Sequence, residues 1–186
     1  MERFAEAVTR FRAAHDEDPA RRALRYHQCV AHWIERLDPE ASEPLKLAAH
    51  CQHIRRWTLP RDRFPAGRAG YRRWRSTLAR FHADEAERIL ADVGYDQTII
   101  ERVRTLLLKK GLGVDAEVQT LEDAVCLTFL EIDLADFSAK HADDKLIDIL
   151  QKTWRKMSPG GHAAALALTG DLPEKLRTLI QRAVDG

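Results

Sequence analysis

Residues 121–134 carry apolar side chains on nearly every side of a helix. A helix of this kind has no stripe that can face water, so it must lie inside a core that other helices build. Elsewhere apolar residues recur at three- and four-residue spacing, as in residues 71–93, and no stretch shows a convincing strand pattern. We therefore predict an all-α fold with the helix of residues 121–134 at its centre.

Helix breakers divide the chain into segments. Pro19 can occupy the first turn of a second helix, Ser42 can cap a third helix that ends near Trp57, and Gly94 ends a later one. The length of 186 residues fits one domain. We predict a single helical domain over residues 1–186, with a core of about 19–157 and C-terminal helices within 159–184 packed on it.

Charge and cysteine usage exclude several classes of protein. The net charge of +1 gives no global field that would recruit nucleic acid or an acidic membrane. The three cysteines are odd in number and far apart, which argues against a disulfide framework and favours a reducing compartment. No run reaches the roughly 20 apolar residues of a membrane span, and the N-terminus lacks an apolar signal sequence. We expect a cytoplasmic protein without a membrane partner.

The strongest candidate for chemistry is residues 48–57, which hold two histidines, two arginines and a tryptophan. His50 and His53 fall beside the apolar stripe of the predicted helix, where a half-desolvated side chain can meet a cavity. Metal ligation or general-base chemistry would suit that position. The alternative is a pair of half-buried histidines whose hydrogen bonds are satisfied within the fold.

Arginines are concentrated around the irregular connection of residues 58–70, which contains two prolines and two glycines. A loop of this length in a compact domain is usually functional, and a guanidinium fork suits phosphate or carboxylate. The alternative is a solvated face on which the arginines pair with nearby carboxylates. We predict that the following residues bind an anionic substrate: Arg55, Arg56, Trp57, Arg61, Arg68, Tyr71 and Arg75.

Three further polar residues lie on apolar helix faces. His82 and Glu85 are three residues apart within the stripe of residues 71–93, a spacing that suits either metal ligation or a buried hydrogen bond. Asp123 shares a face with Leu127, so it must be paired, coordinated or protonated. Its alternative role is at a helix end, three residues after a capping Thr120.

Many short segments of the chain together resemble a family of bacterial and fungal proteins known as a domain of unknown function. The segments are Gln52-His-Ile-Arg-Arg-Trp57, Pro60-Arg61, Phe64-Pro65, Arg68-x-Gly-Tyr71, Trp74-Arg75, His82-Ala83, Gln119-x-Leu-Glu-Asp123, Cys126-Leu127, Phe129-Leu-Glu131 and Lys152-Thr-Trp-x-Lys-Met-Ser158. This resemblance covers nearly the whole chain.

A more distant resemblance is to the HD superfamily of metal-dependent phosphohydrolases. It implies an orthogonal helical bundle with a divalent metal ion held by His53, His82 and Asp123, with His50 or Glu122 as a further ligand. Ile54 stands where the adjacent aspartate of the HD pair would be. The sequence leaves open whether one metal is held without that aspartate or whether the cavity binds a ligand without hydrolysing it.

Three functions follow from these patterns. The leading one is an HD-type hydrolase of a phosphate-containing small molecule or nucleotide, with Asp123, Glu122 and Glu85 as the catalytic carboxylates and the arginines holding phosphate. The second is a non-catalytic helical module that binds an anionic ligand or a protein partner. The third is RNA binding through interleaved arginine and aromatic residues, which the near-zero net charge weakens.

Overall fold

The computed structural model describes residues 2–185 and confirms the all-α class of a single domain. The described residues contain no strand. Their helices are α1 (Glu2–Asp16), α2 (Ala23–Leu37), α3 (Glu43–Cys51), α4 (Gly67–Val93), α5 (Gln97–Leu107), α6 (Ala116–Thr128), α7 (Leu134–Ser138), α8 (Asp143–Trp154), α9 (Pro159–Thr169) and α10 (Glu174–Asp185).

Helix α6 occupies the centre, as the sequence predicted. It packs against α2, α3, α5 and α9, and Leu121, Ala124 and Leu127 along it are at most 1% exposed. The helix begins at Ala116, several residues before the predicted start, because Asp115 caps it by accepting from two backbone N–H groups. It also ends early, in a π-helical turn, Phe129–Asp133, that leads into α7.

The predicted third helix is shorter than expected. Ser42 caps α3 as predicted, by accepting from the Leu45 N–H, but α3 stops at Cys51 rather than near Trp57. The chain then turns through Arg55, whose φ of 49° lies in the left-handed region. Two 3-10 turns, Arg56–Thr58 and Arg61–Arg63, follow before α4.

The hydrophobic core reaches beyond the predicted limits of residues 19–157. Phe11 of α1 and Ile180 of α10 belong to the same buried cluster as Leu127 of α6, so both terminal helices help to build it. The finer expectation of an HD-like orthogonal bundle stays a prediction. No helix within residues 2–185 combines the length and the apolar character that a membrane crossing requires.

Candidate functional site

Buried histidines hold the backbone of the turn that leaves α3. From α1, the Nε2 atom of His15 lies 2.8 Å from the carbonyl oxygen of His50. From α2, His27 Nε2 accepts a hydrogen bond of 3.1 Å from the backbone N–H of His53. The His15 and His27 rings stack at 3.7 Å between centroids. The turn is therefore fixed on two sides by helices that lie earlier in the chain.

A third histidine, His82 of α4, completes this clamp. Its Nδ1 lies 2.8 Å from the carbonyl oxygen of Ile54, so that nitrogen carries the proton and donates. His27 likewise donates from Nδ1 to the Ala23 carbonyl at 2.7 Å while its Nε2 accepts, an arrangement that only neutral imidazole can adopt. Burial lowers the pKa of His27 well below its usual value, and the neighbouring His15 acts in the same direction. We refer to His15, His27 and His82 as the histidine clamp.

The side chain of Arg55 also holds the turn in place. Its guanidinium donates to Glu17 at 2.6 Å and to Glu85 of α4 at 2.6 Å, and the bond to Glu17 does most to raise the Arg55 pKa. Arg55 was predicted to bind substrate and Glu85 to be catalytic. In the structure the two side chains neutralise each other and support the turn.

A cavity of about 890 Å³ opens where the turn meets α2, α4 and the π-helical turn. This volume is typical of sites that enclose a small molecule. Most of its wall is apolar or aromatic, with contributions from Trp57, Leu59, Pro60, Trp74, Val125, Phe129 and Ile132. Its polar lining residues are Asp18, Arg21, Arg22, Arg25, Tyr26, His27, His53, Arg56, Asp133 and Asp136.

Arg56 is the unusual group in this cavity. Its guanidinium lies over the Trp74 ring, 5.0 Å from the centroid, and within residues 2–185 no carboxylate forms an ion pair with it. Its Nη1 is buried and has no acceptor in the described chain. Burial lowers the pKa of Arg56, and Arg75 contributes further to that shift. Arg56 as a whole is half-buried, and an anion that accepts from the buried Nη1 would remove the cost of leaving this donor unpaired.

Two neutral polar groups flank Arg56. The rings of Tyr26 and His53 stack at 5.0 Å. The Tyr26 hydroxyl is buried with no partner in the described chain, and burial raises its pKa. Burial also lowers the pKa of His53 well below its usual value, helped by the Arg56 charge. The cavity thus presents a cation, a hydroxyl and a neutral imidazole to whatever enters it.

The structure brings His53 and His82 close together but does not gather the predicted metal ligands. Their ring centroids lie 5.5 Å apart, and burial lowers the His82 pKa to about 4. His82 Nε2 is buried and unpartnered in the described chain. However, among residues 2–185 no three His, Cys, Asp or Glu side chains are placed to hold one ion. His50 packs against Phe4 instead of lining the cavity.

Asp123 serves a different part of the fold. Its carboxylate accepts from the Ser158 N–H at 2.9 Å, the Ser158 hydroxyl at 2.5 Å and Gln119 at 3.0 Å, so it anchors the start of α9. Residues two apart on a helix point about 200° away from each other, which turns Asp123 away from the cavity wall at Val125. The alternative of a capping box with Thr120 is wrong, because Asp115 is the cap.

The other predicted site residues divide into structural and exposed groups. Glu122 is buried, which acts to raise its pKa, but its pairing with Lys109 and Lys156 lowers the pKa overall. Arg61 donates to the carbonyls of Phe64 and Pro65, both at 2.8 Å, and braces its own loop. Trp57 lines the cavity, and its role in substrate binding stays a prediction.

The remaining predicted ligand contacts lie on the first half of α4. Arg68 and Tyr71 are exposed and do not line the cavity. Arg75 is half-buried, forms no ion pair with a carboxylate of residues 2–185, and its charge acts on Arg56, His53 and His82. Of these three residues, only Arg75 adds to the positive electrostatic potential around Arg56.

Sequence reasoning missed Tyr26 and Asp133 in the cavity wall. A local signal existed for Tyr26, which adjoins His27 in a helix otherwise read as an apolar stripe. Asp133 is a carboxylate at the end of the most apolar segment, and such a residue needs an explanation of its own. Neither signal indicates which distant residues lie opposite.

Comparison with known proteins identifies a family. The model of the family described as Domain of unknown function (DUF4202) matches residues 5–180. No curated protein and no solved structure matches the chain.

Proposed function

Since the chain belongs to the DUF4202 family, whose description names no activity, we propose a function from the cavity itself: it binds an anionic, phosphate-bearing small molecule. The observation that carries this proposal is the half-buried guanidinium of Arg56, whose Nη1 is buried without an acceptor, which has no carboxylate ion-pair partner in residues 2–185 and which lies over Trp74. A phosphate oxygen would supply the missing acceptor and the missing negative charge.

Neighbouring groups favour the same kind of ligand. The charge of Arg75 adds to that of Arg56, and although the carboxylate of Asp133 acts on Arg56 in the opposite direction, it forms no ion pair with Arg56. The Tyr26 hydroxyl, which lacks a partner in the described chain, can donate to an oxygen. Apolar and aromatic side chains form much of the wall, and charged contacts are stronger beside such side chains than in bulk water.

Titration of phosphate and of small organic phosphates against wild type and Arg56→Ala tests the proposal. One charge-assisted arginine contact contributes about 1.5 to 3 kcal/mol, so we expect the alanine variant to bind roughly ten-fold or more weakly. Arg56→Lys should recover only part of the loss, because an ammonium lacks the planar fork. The matched control is Arg72→Ala, which removes the same charge from an exposed position on α4. Equal affinities in all variants would contradict the proposal.

A metal-assisted hydrolase of HD type is the second candidate. It is favoured by His82, whose Nδ1 donates to a backbone carbonyl while Nε2 is left with its lone pair, as in many metal-binding histidines. Two histidines are one fewer than the three protein ligands of a typical catalytic zinc site, so ligand oxygens would have to complete the shell. Replacing phosphate by Zn²⁺ or Mn²⁺ in the same titrations, with His82→Ala, tests this candidate.

A further inference from the structure

One wall of the cavity is the π-helical turn Phe129–Asp133 between α6 and α7. In it, the N–H of Leu134 bonds to the carbonyl of Phe129, five residues earlier. π-Helical turns are rare and are frequent at functional sites. Phe129, Ile132 and Asp133 all line the cavity, so the turn presents two apolar side chains and one carboxylate together.

The turn is fixed from outside the cavity. Glu131 does not line the cavity; its Oε2 accepts from the indole N–H of Trp33 at 2.7 Å and from the Cys29 thiol at 3.4 Å. These bonds tie the turn to α2. Asp133 is therefore presented by a supported element rather than by a loose loop.

The Asp133 carboxylate is incompletely neutralised. Its ion pair is with Arg22 at 3.2 Å, and the same Arg22 nitrogen lies 3.1 Å from Asp136. Arg22 and Asp136 have side chains that are 54% and 63% exposed, so this shared pair is weak. Burial raises the pKa of Asp133. A half-buried carboxylate in this setting gains from a further hydrogen-bond donor.

Asp133 and Arg56 line the same cavity, and their charges act on the same neighbouring group. The charge of each shifts the pKa of the buried Tyr26 hydroxyl, in opposite directions, yet the two do not pair with each other within 4.0 Å. A cationic hydrogen-bond donor, Arg56, and an anionic hydrogen-bond acceptor, Asp133, thus line one cavity, and both act on the unpartnered hydroxyl of Tyr26.

We propose that the ligand is an amino-substituted heteroaromatic phosphate, such as a nucleotide with an amino-bearing base, and that Asp133 selects it by accepting from its N–H edge. This inference rests on the proposed function, which places the phosphate at Arg56. A flat ring suits walls made by Trp57, Trp74 and Phe129. A carboxylate accepting from an exocyclic amino group is a common way to read a base.

Three ligands that share a phosphate test the proposal: adenosine 5′-monophosphate, the corresponding purine nucleotide without the exocyclic amino group, and ribose 5-phosphate. We expect wild type to bind the amino-bearing nucleotide about ten-fold or more tightly than the other two. In Asp133→Ala the three ligands should bind with about equal affinity, so that the preference is lost while ribose 5-phosphate still binds. The matched control is Asp136→Ala, which removes the other carboxylate on Arg22; Asp136 also lines the cavity but lies on α7, outside the π-helical turn, and its loss should keep the preference.

The outcomes separate the two proposals. If wild type binds all three phosphates equally, or if Asp136→Ala loses the preference as fully as Asp133→Ala, the inference about Asp133 is overturned while phosphate binding at Arg56 stands. If none of the three binds wild type, and inorganic phosphate does not bind either, the proposed function fails and this inference fails with it. The preference of wild type is informative even if Asp133→Ala does not fold.

Discussion

Asp123 illustrates how one buried carboxylate is satisfied by a distant segment. Its oxygens accept hydrogen bonds from the backbone N–H and from the hydroxyl of Ser158. The Ser158 hydroxyl oxygen in turn caps α9 by accepting from the Gly161 N–H at 3.0 Å. Gly161 lies so close that a Cβ there would be 2.7 Å from Asp123 Cγ. The absence of a side chain at residue 161 is thus a condition for this contact.

Gly161→Ala should therefore destabilise the protein. The new methyl group would have to displace either the Asp123 carboxylate or the start of α9, and overpacking of this kind costs about 1 to 3 kcal/mol. Urea unfolding measures the change. Gly160→Ala is the matched control, since a Cβ at that exposed position meets only Ser158 Oγ at 3.6 Å. A loss of stability equal to that of Gly160→Ala would argue against the close contact.

At the scale of elements, the turn after α3 is the feature that assembles the cavity. It places His53 and Arg56 on the cavity wall, and its backbone is held by the histidine clamp from α1, α2 and α4. The clamp histidines therefore act on the ligand site through their contacts with the backbone of this turn.

His27→Leu tests the role of the clamp. Leucine cannot accept from the His53 N–H, and an unpaired buried donor costs about 1 to 3 kcal/mol. We expect a lower free energy of unfolding in urea. We also expect weaker phosphate binding, because the turn that loses its support at His53 positions Arg56 three residues further along the chain. His32→Leu, at an exposed position of the same helix, is the control. Normal phosphate affinity in a folded His27→Leu protein would show that the turn holds its shape without the clamp.

Element prediction from sequence succeeded where local pattern decides the structure. The period of apolar residues placed the helices and the central position of α6, and Ser42 marked the start of α3. The early end of α3 was missed because it depends on Arg55 pairing with Glu17 and Glu85, which lie 38 and 30 residues away. The π-helical turn was missed for the same reason, since Trp33 of α2 supports it.

In the candidate site, too, the sequence predicted what depends on local pattern and missed what depends on distant contacts. His53, Arg56 and Trp57 could be chosen from sequence because they are crowded into one short segment, and all three line the cavity. The roles of Asp123 and Glu122 could not be assigned, because a polar residue on an apolar face requires a partner but does not name it. Their partners, Ser158 and Lys109, are supplied by packing.

At the scale of the whole molecule, folding keeps several histidines neutral. Burial is the main cause, and it lowers the pKa of His50 and of His82 from 6.5 to about 4 and also lowers that of His15. Between about pH 6.5 and 4, the unfolded chain therefore binds more protons than the folded chain. Stability is fully present above about pH 6.5 and is lost as the pH falls through this window.

We predict that the free energy of unfolding falls between about pH 6.5 and 4, by up to about 1.4 kcal/mol per pH unit for each buried histidine. Carboxylates whose pKa is lowered, such as Asp115 at about 2 beside Arg102, lose their contribution only at more acidic pH. His15→Gln isolates one histidine, because glutamine can still donate to the His50 carbonyl but does not titrate. Urea unfolding across this range should show a shallower pH dependence for His15→Gln than for wild type, and an unchanged one for the exposed control His32→Gln. Parallel curves for all three proteins would mean that the buried histidines do not set the acid stability of the fold.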